Sequence, residues 1–255
     1  MDRLVRIITA PLLLAQALHT RATALTLPEP DGPRDGNTGS GPPLRLLILG
    51  DSSAAGVGVD RQAEALSGHL VRALAPDFTL HWQLLAQTGF TTRDALAMLD
   101  HARPADVAVV ALGVNDVTRL TPVRAWLARQ TRLMDRLETA LGVRMICLTP
   151  IPPMGQFPLL PNPLRWTLGR HADRLQTARA AHLGHRPTIH PIHLDLPMDS
   201  TLMARDGFHP GPQVYRNWGR ATATLIRTQA PFILPQILRG ARGAGPSPSL
   251  GRHNR

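Results

Sequence analysis

The chain contains no lysine, and this absence removes several classes of chemistry. All 28 of its Lys-plus-Arg side chains are arginines. A nucleotide-binding P-loop needs the lysine of its Gly-Lys-Ser/Thr end, and Schiff-base enzymes and Ser-Lys hydrolases need a lysine as well. These classes are therefore excluded. The formal net charge of +10 remains compatible with contact at an anionic surface.

Cysteine, aromatic residues and long apolar runs are also scarce. The single Cys147 allows no internal disulfide and no cysteine-rich zinc site, and its place in an apolar run is typical of an unreactive thiol. Aromatic residues make up 4% of the chain, which argues against a carbohydrate platform of stacked rings. No stretch reaches the roughly 18–20 uninterrupted apolar residues of a membrane span.

Residues 1–43 do not resemble part of a core. The short apolar stretch 7–18 and the following Ala22-Thr23-Ala24 resemble a secretory signal, so export to the periplasm is one interpretation. The Pro11 break and the nearby Arg21 favour the other interpretation, an amphipathic helix on the domain or on a membrane surface. That interpretation predicts a cytoplasmic or membrane-associated protein.

Two further segments are predicted to lie outside the core by composition. Residues 28–43 are dense in Gly, Pro and Asp and are predicted to be a linker. Residues 231–255 form a tail rich in Arg, Gly and Pro, which predicts disorder. One domain is therefore expected over residues 44–230.

Short apolar runs alternate with helix-compatible stretches throughout this domain. The runs are 44–49, 79–85, 107–112, 143–148 and 188–196, and the stretches are 61–74, 92–101, 122–141, 163–182 and 210–228. This alternation predicts a three-layer α/β/α sandwich with a five-stranded, mostly parallel sheet. Pro191 lies inside the fifth run and predicts an edge strand there.

Polar and glycine residues follow these runs at the points where the strands end. Ser52 follows the first, Gly89 the second, Asn115 the third, and the Asp206/His209 pair the fifth. Each alone is typical of a turn or a helix cap. Because carboxyl ends of parallel strands meet at one edge of a sheet, we expect them to lie together. They then supply the parts of an acyl-transfer site: a nucleophile, amide donors for an oxyanion, and a proton-moving pair.

These motifs make the chain similar to the SGNH, or GDSL-type, serine hydrolases, named for Ser, Gly, Asn and His. The matching blocks are Gly50-Asp51-Ser52, Gly89, Gly113-Val114-Asn115-Asp116 and Asp206-Gly207-Phe208-His209. Gly50 to Val59, with Gln87-Thr88-Gly89, resembles the bacterial lysophospholipase-like branch. Ser53 departs from the leucine of the plain Gly-Asp-Ser-Leu form, which weakens inference about the substrate. The resemblance implies a flavodoxin-like sandwich of the SGNH hydrolase type.

The resemblance also implies a role for each residue. Ser52 attacks an ester carbonyl, His209 acts as general base and then general acid, and Asp206 orients the imidazole. The backbone N–H groups of Ser52 and Gly89 and the side-chain amide of Asn115 hold the oxyanion. Neither a cofactor nor a metal ion is expected.

The sequence indicates the substrate only by one apolar loop, residues 149–163. Five of its side chains are predicted to bind an acyl or lipid-like group: Ile151, Met154, Phe157, Leu159 and Leu160. Packing of the loop over the sheet edge is the alternative. The leading hypothesis is a serine esterase, with a thioesterase or a carbohydrate deacetylase as alternatives. A non-catalytic basic protein that binds membrane or nucleic acid is the alternative from another class; the complete residue set argues against it, and no nucleic-acid partner is expected.

Overall fold

The computed structural model describes residues 2–194 and 201–233 of the chain. Residues 234–255, which form most of the predicted tail, lie outside the described residues. So do residues 195–200, where the fifth predicted strand would end.

A six-stranded sheet forms the centre of the molecule. The strands are β1 (Asp35–Thr38), β2 (Pro43–Gly50), β3 (Thr79–Ala86), β4 (Val107–Ala111), β5 (Met145–Leu148) and β6 (Ile189–Pro191). Their order is β1-β3-β2-β4-β5-β6, and only the β1–β3 pair is antiparallel. The mostly parallel α/β/α sandwich is thus confirmed, and Pro191 lies on an edge strand as predicted.

The structure differs from the prediction in the number of strands. The sixth strand, β1, lies inside residues 28–43, which the sequence predicts to be a linker. Its residues, Asp-Gly-Asn-Thr, show no apolar alternation because the strand is largely exposed and pairs only at the edge of the sheet. Its place is fixed by backbone pairing with β3, which side-chain patterns do not reveal.

Helices cover both faces of the sheet. They are α1 (Asp2–Thr23), α2 (Ser52–Ala55), α3 (Leu66–Leu74), α4 (Thr92–Met98), α5 (Val114–Thr118), α6 (Val123–Thr139), α7 (Leu164–Leu183) and α8 (Pro212–Ile233). Buried residues of α3 and α8 pack on one face, and those of α4, α6 and α7 pack on the other. Along β2, Leu46 and Ile48 face the first layer whereas Leu47 and Leu49 face the second. A central parallel strand that is buried on both faces reads as a continuous apolar run.

A third apolar cluster lies where the strands end. It joins α5, α7 and the loop 149–163, with Trp126, Met154 and Leu175 fully buried in it. Helix α1 packs against this cluster through Leu13. The Gln16 amide of α1 donates to the Asn162 carbonyl (2.7 Å) and accepts from the Leu164 N–H (3.1 Å). In the described part of the chain, no helix is both long and apolar enough to cross a bilayer.

Candidate active site

The turn after β2 presents Ser52 at the carboxyl edge of the sheet. Ser52 is the first residue of α2, and the carboxylate of Asp51 caps this helix by accepting from the Ser53 N–H at 3.0 Å. Gly50 allows the sharp reversal, because a Cβ there would lie 2.4 Å from the Ala54 Cβ and 2.6 Å from the Ala111 carbonyl oxygen. Ser52 is therefore held on a tight strand-to-helix turn.

His209 and Asp206 reach this serine from a small closed loop between β6 and α8. The loop is closed by the Ala204 N–H, which donates to the His209 carbonyl at 2.8 Å, and by a bridge between Met203 and Pro210. The His209 Nε2 lies 2.9 Å from the Ser52 Oγ, and its Nδ1 lies 2.5 Å from Asp206 Oδ2. The structure thus brings together all three predicted catalytic residues.

The hydrogen bonds of Asp206 fix the tautomer of this imidazole. Its Oδ1 accepts from the backbone N–H groups of Phe208 and His209, each at 3.0 Å. Burial raises the pKa of Asp206, but hydrogen bonds from the His209 side chain and from these two N–H groups lower it further, so the net pKa is below its ordinary value. An ionised Asp206 accepts only, so Nδ1 donates to it and Nε2 is free to accept from the serine hydroxyl.

Asn115 and Gly89 lie on two neighbouring turns of the same edge. Asn115 lies in the first turn of α5, whose N-cap Gly113 has φ 139° and leaves no room for a Cβ beside Ile151. The Asn115 side-chain amide donates to the Phe90 carbonyl at 2.9 Å, which ties its turn to that of Gly89. Gly89 has φ 84°, a conformation that favours glycine. Within residues 2–194 and 201–233, neither the Ser52 N–H nor the Gly89 N–H donates to a protein acceptor.

A buried polar network that the sequence did not reveal supports these two turns. Asp116 is fully buried and accepts from the N–H (2.9 Å) and hydroxyl (2.8 Å) of Thr92. The Thr92 hydroxyl in turn accepts from Trp126 Nε1 (3.1 Å) and from the Gln130 amide (2.8 Å). This network joins α4, α5 and α6, and its central residue, Thr92, begins the helix that directly follows the Gly89 turn. The position of Asp116 directly after Asn115 was the only signal in the sequence.

The segment before β1 also contacts the Gly89 turn. Glu29 Oε1 accepts from both the N–H (2.7 Å) and the hydroxyl (2.8 Å) of Thr88. Glu29 Oε2 accepts from Arg34 Nη1 at 2.8 Å, and Arg34 Nη2 donates to the Ala86 carbonyl. No motif marks Glu29 in the sequence, so sequence reasoning missed it.

An apolar cavity of about 240 Å³ lies beside the Ser52–His209 pair. Its wall contains both neighbours of the serine, Asp51 and Ser53, and both neighbours of the histidine, Phe208 and Pro210. Trp218 from α8 also lines it. Burial raises the pKa of Asp51 to about 6, although the Ser53 N–H and the nearby His209 act to lower it. Ser52 and His209 do not line the cavity themselves, so it is an apolar space next to the catalytic pair and does not enclose the Ser52 hydroxyl.

The residues of the loop 149–163 are divided between this cavity and the core. Ile151 and Phe157 line the cavity, and the Phe157 ring meets the Phe208 ring edge-on at 5.3 Å. Met154 and Leu160 are instead buried in the third apolar cluster and do not line the cavity. Leu159 is partly exposed, and its Cβ lies near Gly207 of the histidine loop. Much of this loop thus packs over the sheet edge, which was the alternative interpretation of its sequence.

Helix α7 holds the start of the same loop. Arg179, which is 2% exposed, donates to the Thr149 carbonyl at 2.8 Å and to Gln176 Oε1 at 2.7 Å. Gln176 Oε1 also accepts from the Ile151 N–H at 3.1 Å. Burial lowers the pKa of Arg179 to about 10, so it stays charged at neutral pH. Two residues of the cavity wall, Thr149 and Ile151, are therefore held in place by hydrogen bonds with α7.

The chain is similar in sequence to known ester hydrolases. The model of the GDSL-like lipase/acylhydrolase family matches residues 48–216. The GDSL-like esterase Rv1075c of Mycobacterium tuberculosis is 29% identical over 231 residues, covering 80% of this chain and 72% of the relative.

Solved structures share the fold at lower identity. The psychrotrophic esterase EstA from Pseudoalteromonas, inhibited by monoethylphosphonate, aligns with a TM-score of 0.57 and 22% identity, covering 72% of this chain and 97% of EstA. The acetylxylan esterase Axe2 from Geobacillus stearothermophilus aligns with a TM-score of 0.53 and 19% identity, covering 73% of this chain and 95% of Axe2.

Proposed function

The chain belongs to the GDSL-like lipase/acylhydrolase family and is a carboxylic-ester hydrolase, and from that premise we propose that it works through an acyl-enzyme on Ser52. The observation that supports this proposal best is the continuous hydrogen-bonded chain from Ser52 Oγ through His209 to Asp206. A helix cap or a loop contact alone would not need this arrangement. A serine nucleophile with an oriented base does need it.

The proposed reaction has two steps on the same residues. Ser52 Oγ attacks the ester carbonyl while His209 Nε2 takes its proton, and His209 then protonates the departing alcohol. In the second step a water attacks the acyl-Ser52 ester, with His209 again taking and returning the proton. Asp206 remains ionised and stabilises the imidazolium.

The proposed oxyanion site consists of the N–H groups of Ser52 and Gly89 and the amide of Asn115. Both backbone N–H groups lack a protein acceptor among the described residues, as donors reserved for a ligand would. Such donors act mainly on the charge that develops in the transition state. Asn115 also holds the Phe90 carbonyl, so it contributes to the position of the Gly89 turn.

We propose an acyl group of medium length as the substrate part that enters the cavity. A water occupies about 30 Å³ in the liquid, and a methylene has a similar size, so a cavity of about 240 Å³ holds on the order of eight methylenes. Each methylene contributes about 0.8 kcal/mol when it is fully desolvated. This favours an acyl esterase over a deacetylase, which would leave the cavity empty.

Labelling and substrate panels test both parts of this proposal. A fluorophosphonate probe should label the wild-type protein at Ser52 and should not label Ser52→Ala. Activity toward p-nitrophenyl esters should rise from acetate to octanoate, and Val214→Phe, which fills the cavity, should remove this rise while sparing acetate. An equal loss for acetate and octanoate would favour a deacetylase. Faster turnover of acyl thioesters than of matched esters would favour a thioesterase.

We also propose that α1 brings this site to an anionic membrane surface. Leu12, Leu14 and Leu18 of α1 are 50%, 62% and 59% exposed, although they are large and apolar. Gln16 fastens α1, which carries these leucines, to the end of the cavity loop. Helix α1 also has the basic residue Arg21 in its last turn, and apolar side chains together with basic ones on a single helix are typical of helices that lie in the membrane interface.

Vesicle binding with a matched control tests this contact. Wild-type protein should float with phosphatidylglycerol vesicles more than with phosphatidylcholine vesicles, and changing Leu12, Leu14 and Leu18 to Ser should abolish flotation. Phe232→Ser is the control, because Phe232 is 79% exposed near the far end of α8. Equal losses in both variants would show only unspecific adsorption.

A further inference from the structure

Residues 29–34, which we name the N-terminal arm, lie outside the part of the chain that the family model matches. The arm nevertheless contacts two parts of the site. Pro30 packs beside Gly56, the residue that ends the serine helix α2, where a Cβ would lie 2.8 Å from the Pro30 Cγ. Glu29 binds Thr88, directly before Gly89. The arm thus spans the distance between the nucleophile turn and the Gly89 turn.

The Gly89 turn depends on polar contacts for its position. No atom lies within 4 Å of the place where a Cβ on Gly89 would be, so that side of Gly89 is open, whereas the next residue, Phe90, packs against the core. Before Phe90 the turn is held by hydrogen bonds: Glu29 accepts from the N–H and hydroxyl of Thr88, and Arg119 donates to the Gly89 carbonyl at 3.1 Å. Side chains therefore hold the peptide units on both sides of the Thr88–Gly89 peptide, whose own N–H is left for a ligand.

The charge of Glu29 suits this task. Burial raises the pKa of Glu29, but the hydrogen bonds from Thr88 and Arg34 lower it further, so the net pKa is below its ordinary value. An ionised carboxylate can accept all three bonds at once, and bonds to a charged acceptor are the stronger ones. Arg34 is itself tied to the sheet, because the Leu84 N–H donates to its carbonyl at 2.7 Å.

We propose that Glu29 is a positioning residue for catalysis, which orients the Thr88–Gly89 peptide so that the Gly89 N–H points at the oxyanion. This inference rests on the proposed function of Ser52 and Gly89. It assigns the N-terminal arm to the active site, although the arm precedes every motif of the family. A small displacement of an oxyanion donor weakens transition-state binding more than substrate binding.

The test compares Glu29→Ala with Asp35→Ala. Asp35 lies in the next strand and pairs with Arg103 in an exposed salt bridge, without contact to the Gly89 turn. Glu29→Ala should lower kcat by about 10–100-fold with KM nearly unchanged, whereas Asp35→Ala should leave both near wild type. Glu29→Gln keeps an acceptor oxygen for Thr88 and should recover part of the loss.

A second measurement separates positioning from general loss of structure. Thionoesters place sulfur, a larger and weaker acceptor, in the oxyanion site, so an intact site should prefer the oxygen ester strongly. This preference should shrink in Glu29→Ala and stay at the wild-type ratio in Asp35→Ala. An unchanged preference, or equal kcat losses in both variants, would overturn the role of Glu29. Active Ser52→Ala protein would instead overturn the proposed function itself, so the two failures are distinguishable.

Discussion

Replacement of Asp206 by Asn tests the proton path most directly. The oxygen of the new amide should stay with the two backbone N–H groups that Oδ1 accepts from at 3.0 Å. Its NH₂ group then faces His209 Nδ1, at the place of the oxygen now 2.5 Å away. Two donors cannot face each other, so Nδ1 must give up its proton and Nε2 must carry it. A protonated Nε2 cannot accept the proton of Ser52.

The expected loss follows from this wrong tautomer. In a Ser-His-Asp triad the corresponding change lowers kcat by about 10⁴, which is about 5.5 kcal/mol in activation free energy. Binding of the substrate does not use Asp206, so KM should change little. Hydrolysis of p-nitrophenyl butyrate at pH 8, with thermal unfolding measured in parallel, gives both quantities. Because the loop keeps two of its three bonds to Asp206, the variant should remain folded.

The control is another Asp→Asn change. Asp77 is half exposed and accepts from Arg227 Nε at 2.7 Å. Arg227 lies in the C-terminal half of α8, whereas the His209 loop precedes the N-terminal end of that helix. Asp77→Asn should therefore keep wild-type turnover. A folded Asp206→Asn protein with less than a tenfold loss in kcat would refute the reasoning, since His209 would then not need its partner.

Three further outcomes follow from the site and core. Asn115→Ala should lower kcat by about 10²–10³ with little change in KM, and an unchanged rate would remove Asn115 from the oxyanion site. Asp51 has its folded pKa raised to about 6 from an ordinary value of 3.8, so its contribution to stability is present below pH 4 and is lost as the pH rises through 6. In urea unfolding, the free energy of unfolding of Asp51→Asn relative to that of the wild type should therefore rise by up to about 3 kcal/mol between pH 4 and pH 7. A difference between the two proteins that does not change with pH would contradict this. Cys147 is fully buried and burial raises the pKa of its thiol, so iodoacetamide should label it only in unfolded protein; labelling of native protein would contradict its burial.

The sequence predicted the sheet wherever strands are buried on both faces. The runs around Leu47 and Val109 are continuously apolar because both of their faces are covered, and that pattern is hard to mistake. Ser52, Asn115 and the Asp206/His209 pair could be predicted to meet because each follows such a strand. Their positions at one edge follow from the parallel topology alone.

Features held by backbone pairing or by single polar contacts could not be predicted. Strand β1 is polar and exposed, and Glu29 meets Thr88 across 59 residues without any periodic pattern. The loop 149–163 shows a different limit, because an apolar side chain leaves water equally well in a core or in a cavity. The sequence therefore could not tell Met154, which is core, from Phe157, which lines the cavity.

The bond between Ser52 and His209 also bears on how the chain folds. It joins residues 157 positions apart, and the Tyr215 hydroxyl donates to the Val57 carbonyl across 158 positions. Contacts of such long range form late, because the entropy of closing so large a loop opposes them until the intervening elements have assembled. During refolding, esterase activity should consequently return after the helical circular-dichroism signal. The nucleophile acquires its base only when the loop before α8 closes and α8 docks against α3, so partly folded chains should show no esterase activity.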